Sequence, residues 1–233
     1  MLVLTSKAGP PGLQLNTRAA PQISSGTVKT DTGEIMRSGG VVAILNPADA
    51  QTVASTDPAT WAAARALGLN TMRVSVKTTA AGRTVAQQLP LVDAAVEAAR
   101  NNRMYVMLMW ANDSPGAFED NVSANRDAAI DFWNQAAPRY AAEPHVFYEM
   151  INEPDRWGAV ANYIGAAPAN SPTAVLLALR AIHDAMRAAA PSKIIVCPSG
   201  TNLQSLTGAT RYKAVIDAFM AAGAPVAWTK TAW

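Results

Sequence analysis

The sequence is poor in the residues that hold metals or form disulfides. It has one cysteine, Cys197, and two histidines, His145 and His183. One thiol cannot form an internal disulfide or a cysteine metal cluster. The two histidines lack metal-ligand spacing, and His183 falls within a predicted helix, where packing or surface exposure is its expected role. We therefore expect no metal and no cofactor.

Charge and long apolar runs are also scarce. Only 15% of the 233 residues are charged, the net charge is +2, and no basic stripe is present, which argues against nucleic acid as a partner. The apolar runs are too short for a transmembrane helix, so no membrane partner is expected. The opening "MLVLTSKAGPPGLQ" is a poor signal peptide, because an h-region needs ~7–15 apolar residues. Either the protein is intracellular or its leader is not in this chain.

Half of the residues are hydrophobic, which is typical of a globular protein with a sizeable core. Residues 1–25 are rich in Pro, Gly and Ser and are predicted to be an extended lead-in, and residues 26–233 to form one domain. In that domain short apolar runs alternate with Ala-rich stretches. Several runs are apolar on both faces, as parallel strands covered on both sides are. The predicted strands are 41–45, 71–76, 105–110, 146–151, 194–197 and 226–233.

The stretches between the strands carry helix end signals. In "DPATWAAARALG", Asp57 is a predicted N-cap, Pro58 the first helical residue and Gly68 the residue past the end. "SPTAVLLALRAIHDAMRAAAP" repeats this arrangement with Ser171 and Pro172. The other predicted helices are 90–102, 125–141 and 208–224.

Strands that alternate with helices predict a parallel α/β fold, either an open doubly wound sheet or a (β/α)8 barrel. The segment "AILNPADAQ" after the first strand has no glycines of the kind that nucleotide-binding sheets place there. The sequence therefore favours the TIM-barrel type. A whole barrel has eight strands in ~250 residues, so we expect only about six β/α units in this chain.

Chemistry in such barrels lies at the C-terminal ends of the strands. The fourth predicted strand ends in Asn152 and Glu153, the third in Trp110 and Asn112, and Arg73 lies on the second. A carboxylate that follows an apolar strand is expected to be paired or used in chemistry. Polar and aromatic groups thus gather where a sugar or another small polar substrate would lie.

Three stretches resemble glycoside hydrolase family 5, the cellulase-like group. "VFYEMINEP", preceded by "FWNQAAPRYAAEP", is similar to the family's fourth-strand signature. "LGLNTMRVSV" resembles its second strand, and "TDTGEIMRSGGVV" resembles the hairpin that leads into its first. The resemblance covers residues 25–233 and implies a (β/α)8 barrel that acts on polysaccharides and is secreted.

The resemblance also implies roles for individual residues. Glu153 would be the general acid/base of a retaining glycosidase, and Asn152 would hydrogen-bond the sugar 2-hydroxyl. Arg73 would keep the nucleophile ionised. Trp110 or Trp233 would stack on a sugar ring, and Asn112 would lie in the third-strand loop, where the chain departs from the family by having Ala111 in place of a His.

Each role has a structural alternative. Glu153 could be a solvated loop residue, Arg73 a structural ion-pair partner and Trp110 a core residue. Glu149 is not a second catalytic carboxylate, because four residues of strand separate it from Glu153 by ~13 Å, well beyond the ~5–5.5 Å of a retaining pair. It is expected to point into the barrel floor.

The second carboxylate of the mechanism is absent from the sequence, because no Glu follows Glu153. We expect a C-terminally incomplete barrel whose nucleophile lies outside this chain. The predicted function is hydrolysis of β-linked polysaccharides of the cellulose or mannan type. Two alternatives stay open: a non-catalytic carbohydrate-binding barrel and an unrelated β/α enzyme.

Overall fold

The computed structural model describes residues 38–44, 55–77, 83–111, 121–152, 172–196 and 231–232. Its strands form one six-stranded sheet in the order β1 to β6, and every neighbouring pair is parallel. The strands are β1 (Ser38–Ile44), β2 (Thr71–Lys77), β3 (Tyr105–Ala111), β4 (Val146–Glu149), β5 (Ile195–Val196) and β6 (Thr231–Ala232).

The strand order separates the two closures that the sequence left open. In a doubly wound sheet the order reverses at a switch point, and helices cover both faces. Here each strand pairs with the next one in the chain, so every crossover moves in the same direction. Because such crossovers are right-handed, they place the helices on one face of the sheet. This is the arrangement of a barrel wall.

Four helices lie in the described residues: α1 (Pro58–Ala66), α2 (Val85–Asn101), α3 (Val122–Arg139) and α4 (Pro172–Ala189). The ends of α1 are as predicted. The Asp57 carboxylate accepts the Ala59 backbone N–H at 2.9 Å, Pro58 begins the helix, and Gly68 follows it with φ +84°. A left-handed φ of this kind is why glycine is favoured past a helix end.

Helix α2 begins at Val85, and the predicted start at Pro90 is wrong. Thr84 and Gln87 form a capping box, in which each side chain accepts the other residue's backbone N–H. This reciprocal cap satisfies two of the unpaired donors at the helix start and offsets the one hydrogen bond that Pro90 gives up. The predicted helix 208–224 and the lead-in 1–25 lie outside the described residues.

The main core lies between the sheet and the helices. Alternate strand residues face it, and all four helices contribute to it; its members include Val74, Val76, Leu108, Trp110, Tyr148, Trp61, Val92, Phe132 and Ile182. The opposite face of the sheet has a smaller cluster of strand and strand-flanking residues, Tyr105, Phe147, Ile194 and Val196, with Met107 packed against it. This second face, which the described helices leave uncovered, is the interior of the barrel wall.

Strand β4 ends at Glu149, two residues before the predicted end. The carbonyl of Met150 accepts the indole N–H of Trp133 at 2.8 Å, so it is not available to a strand ladder. The chain nevertheless stays pinned beyond this point. The Met150 N–H donates to the Val196 carbonyl at 2.9 Å, and the Asn152 N–H donates to the Trp110 carbonyl at 3.0 Å.

Candidate active site at the strand ends

An ion pair on the interior face of the sheet joins Arg73 of β2 to Glu149, the last residue of β4. Arg73 donates from Nε to Glu149 Oε2 at 2.5 Å and from Nη2 to Glu149 Oε1, so the guanidinium and the carboxylate pair through two hydrogen bonds. The side chains are 20% and 12% exposed. Such a two-pronged, mostly buried pair fixes the orientation of both groups.

The pair bridges two strands that are not neighbours. In the strand register Arg73 lies opposite Met107 of β3, and Glu149 lies opposite Met109, one inward-facing position further along β3. The Arg73 side chain must therefore reach ~6–7 Å along the strands as well as across β3. This direction carries the guanidinium towards the C-terminal ends of the strands, where barrel enzymes have their active sites.

Asn152 joins the same cluster. Its Oδ1 accepts a hydrogen bond from Arg73 Nη2 at 3.1 Å, and its backbone N–H is held by Trp110 of β3. Because Oδ1 faces Arg73, the Nδ2 amide group of Asn152 is directed away from the guanidinium as a donor. The residue directly before Glu153 is thus fixed through both its backbone and its side chain.

A buried aromatic group supports this strand end from the helix side. Trp133 of α3 is fully buried, and its ring lies 4.9 Å from that of Phe132 and 5.1 Å from that of Tyr148. The Tyr148 hydroxyl donates to the Ala137 carbonyl at 2.7 Å, and burial raises the pKa of this phenol well above its ordinary value. The contact between Trp133 and Tyr148 therefore holds β4 against α3 immediately before the site.

The other buried ionisable groups lie away from this cluster. His145 precedes β4 and its Nε2 is 3.0 Å from the Val96 carbonyl, and burial lowers its pKa. Burial and the nearby Arg187 lower the pKa of His183 to about 4. Burial lowers the pKa of Lys193 to about 8, and its Nζ donates to the carbonyls of Glu143 and Val146.

Within the ranges that the structure describes, no group of three or more His, Cys, Asp or Glu side chains is placed to hold a metal ion. Over the same residues, no helix is both long and apolar enough to cross a membrane.

The structure brings together two of the six predicted site residues, Arg73 and Asn152. The position of Glu149 on the interior face agrees with the sequence analysis, but its ion pair with Arg73 was not predicted. Glu153, Asn112 and Trp233 lie outside the described residues.

The prediction that Trp110 stacks on a sugar is wrong. Trp110 is 0% exposed and belongs to the core between sheet and helices. The reason is strand parity. Trp110 lies opposite Val76, whereas inward-facing Arg73 lies opposite Met107, so the alternation turns Trp110 towards the helices. The alternation of side chains along β2 and β3 indicates that Trp110 faces the helices, but only when the register between the two strands is known.

Parallel strands in sequential order, with helices on one face and a polar cluster at the strand ends, define a barrel of the β/α type. The comparisons with known proteins give the family. The model of the cellulase family, glycosyl hydrolase family 5, matches residues 40–229, and the chain belongs to this family.

The curated relatives are endoglucanases, matched over short stretches. Endoglucanase A of Butyrivibrio fibrisolvens is 31% identical over 109 residues, which is 41% of this chain and 24% of the relative. Endoglucanase C of Evansella cellulosilytica is 32% identical over 94 residues, which is 31% of this chain and 11% of the relative. The chain thus spans less than a quarter of the length of these relatives.

Solved structures confirm the fold class. The catalytic domain of Thermobifida fusca endoglucanase Cel5A matches with a TM-score of 0.57 at 18% identity, over 91% of this chain and 62% of that one. The cellulase Cel5C_n matches with a TM-score of 0.56 at 19% identity, over 78% of this chain and 55% of that one. The predicted (β/α)8 barrel type is therefore correct.

Proposed function

We propose that the protein is a retaining glycoside hydrolase that cleaves β-linked polysaccharides, with Glu153 as its general acid/base. The observation that carries this proposal is the cluster of Arg73, Glu149 and Asn152. It lies at the C-terminal end of β4, which the Arg73 side chain reaches from β2, and Asn152 is directly followed in the chain by Glu153. Membership of the cellulase family supports the reaction class.

Each residue of the cluster has a chemical task in this proposal. Glu153 protonates the leaving oxygen and later activates water. Asn152 donates from Nδ2 to the sugar 2-hydroxyl, a contact that strengthens in the transition state. Arg73 supplies positive charge that keeps the nucleophile ionised. Asn112 and Trp233 are proposed substrate contacts from the third and sixth strand ends.

In this proposal Glu153 is one of the two catalytic carboxylates, the general acid/base. The second catalytic carboxylate, the nucleophile, is also a Glu in this family, and no Glu follows Glu153 in the sequence. We infer β-linked glucan as the substrate, because the relatives carry the name endoglucanase, and mannan is the first alternative to test. A polymer of this kind is outside the cell, so we propose that the protein is secreted.

The test compares the wild-type protein with its Glu153→Ala variant. On carboxymethylcellulose the variant should lose ~10²–10⁴-fold in turnover, because no group protonates the leaving oxygen. On a dinitrophenyl β-cellobioside, whose leaving group needs no proton, glycosylation should persist and added azide should restore turnover. The product should be the β-glycosyl azide, because two inversions retain the anomeric configuration.

Glu143→Gln is the matched control. Glu143 also pairs with an arginine, Arg100, but it lies before β4 at the opposite end of the strand. The turnover of Glu143→Gln per folded molecule should equal that of the wild-type protein. Unchanged turnover in Glu153→Ala, or an α-glycosyl azide, would refute the mechanism. Binding of cello-oligosaccharides by a wild-type protein that hydrolyses neither glucan nor mannan would favour the carbohydrate-binding barrel.

A further inference from the structure

Glu149 is a carboxylate that faces the barrel interior at the end of β4. It is too far along the strand from Glu153 to be its catalytic partner, so the proposed mechanism gives it no role. Its carboxylate is 12% exposed, and both of its oxygens accept hydrogen bonds from Arg73. Both carboxylate oxygens of Glu149 are thus engaged by Arg73. Its role has to be sought in what it does to Arg73.

Arg73 connects Glu149 to the substrate side of the site. The same nitrogen, Nη2, donates both to Glu149 and to Oδ1 of Asn152. The direction of the shared nitrogen therefore depends on where the Glu149 carboxylate holds the guanidinium. The orientation of the Asn152 amide in turn depends on Arg73 Nη2, because this nitrogen donates the hydrogen bond that Oδ1 accepts.

We propose that Glu149 is a positioning residue that orients the Asn152 amide for the sugar 2-hydroxyl by holding Arg73 in a two-pronged ion pair. This inference rests on the proposed function and names the group that sets the geometry of its substrate contact. Glu149 touches no reacting atom, and it acts through Arg73 alone. Its negative charge also compensates that of a mostly buried guanidinium.

Glu149→Gln tests the role with little change in shape. The glutamine keeps one acceptor oxygen and replaces the other with an NH2 group, which cannot accept from Arg73. We expect kcat on β-glucan to fall about 10–100-fold while KM stays within about twofold, because the amide contact strengthens in the transition state and a small misplacement is costly there. Glu143→Gln, in which the ion pair with Arg100 is lost away from the site, should change neither constant.

The chain Glu149–Arg73–Asn152 is tested by a double-variant cycle. In an Asn152→Ala background the amide is already absent, so Glu149→Gln should lower kcat much less than it does when Asn152 is present, and any loss that remains acts through the effect of Arg73 on the nucleophile. Equal losses of kcat from Glu149→Gln with and without Asn152 would overturn the proposal. Loss of thermal stability with unchanged kcat per folded molecule would also overturn it, since that is the result of a purely structural pair.

A second readout does not require turnover. The side-chain amide signals of Asn152 in a 15N–1H NMR spectrum, identified by their loss in Asn152→Ala, should shift in Glu149→Gln and stay in place in Glu143→Gln. Unmoved Asn152 signals in Glu149→Gln would overturn the inference in an active or an inactive protein. Glu153→Ala separates the two proposals: if it keeps full turnover the proposed function fails, whereas unchanged kcat in Glu149→Gln alone refutes only the positioning role.

Discussion

Replacing Trp133 with Phe should loosen the end of β4 beside the candidate site. The indole N–H donates to the Met150 carbonyl at 2.8 Å, and both residues are buried. Loss of the donor leaves a buried carbonyl unpaired, at a cost of about 1–3 kcal/mol. The smaller ring adds a cavity, which we set at ~1–2 kcal/mol, below the ~3–5 kcal/mol of a full truncation to alanine. Together the free energy of unfolding should fall by about 2–5 kcal/mol.

Urea unfolding followed by far-UV circular dichroism measures this loss. With a slope of ~2 kcal/mol per molar urea, the midpoint should fall by about 1–2.5 M. Trp61→Phe is the matched control, because the Trp61 indole N–H donates to the Ser55 carbonyl at the same distance, 2.8 Å, and is equally buried. It should be destabilised to a similar extent.

Of these two variants, Trp133→Phe alone should change the position of Asn152 in the candidate site. Met150 is two residues before Asn152, so a freed carbonyl displaces the chain that carries the amide. We expect the NMR signals of the Asn152 side-chain amide to shift in Trp133→Phe and not in Trp61→Phe. An unchanged urea midpoint in Trp133→Phe would refute the energetic reasoning, and equal shifts of the Asn152 signals in both variants would refute the local one.

Two further predictions concern stability. Gly68→Ala should lower the free energy of unfolding by about 1 kcal/mol, because φ is +84° while the added Cβ meets nothing within 4 Å; a thermal melt against Gly68→Asn, which should cost less, checks this, and an unchanged melting temperature contradicts it. Acid should destabilise the protein as pH falls from about 6.5 to about 4, because burial lowers the His183 pKa to about 4, so the unfolded chain binds the proton first. His183→Gln should flatten the dependence of the urea midpoint on pH over this range, and an identical dependence would contradict the assignment.

The sequence predicted the features that depend on neighbours in the chain. Asp57, Pro58 and Gly68 mark the ends of α1 because capping is decided within a few residues. The β/α alternation and the absence of a glycine-rich turn were enough to favour the barrel. The start of α2 was missed because Pro90 is a strong signal for a first helical residue, whereas the capping box of Thr84 and Gln87 is decided by two side chains together.

Features that depend on strand register were not predictable in the same way. The partner of Arg73 is 76 residues away, and its identity follows only when β2, β3 and β4 are aligned. The same alignment turns Trp110 away from the barrel interior. Strand alternation fixes which residues share a face within one strand, but pairing between strands decides which faces coincide.

The sequential strand order means that the sheet can be assembled in the order of synthesis. Each strand pairs with the strand made just before it, so a chain leaving the ribosome can add one β/α unit at a time without waiting for a distant segment. The Arg73–Glu149 pair is different, because it crosses over β3 and needs three aligned strands. A growing chain would therefore hold an uncompensated Arg73 until β4 emerges, and closing this pair would mark the moment when the substrate-binding end of the wall takes its final shape.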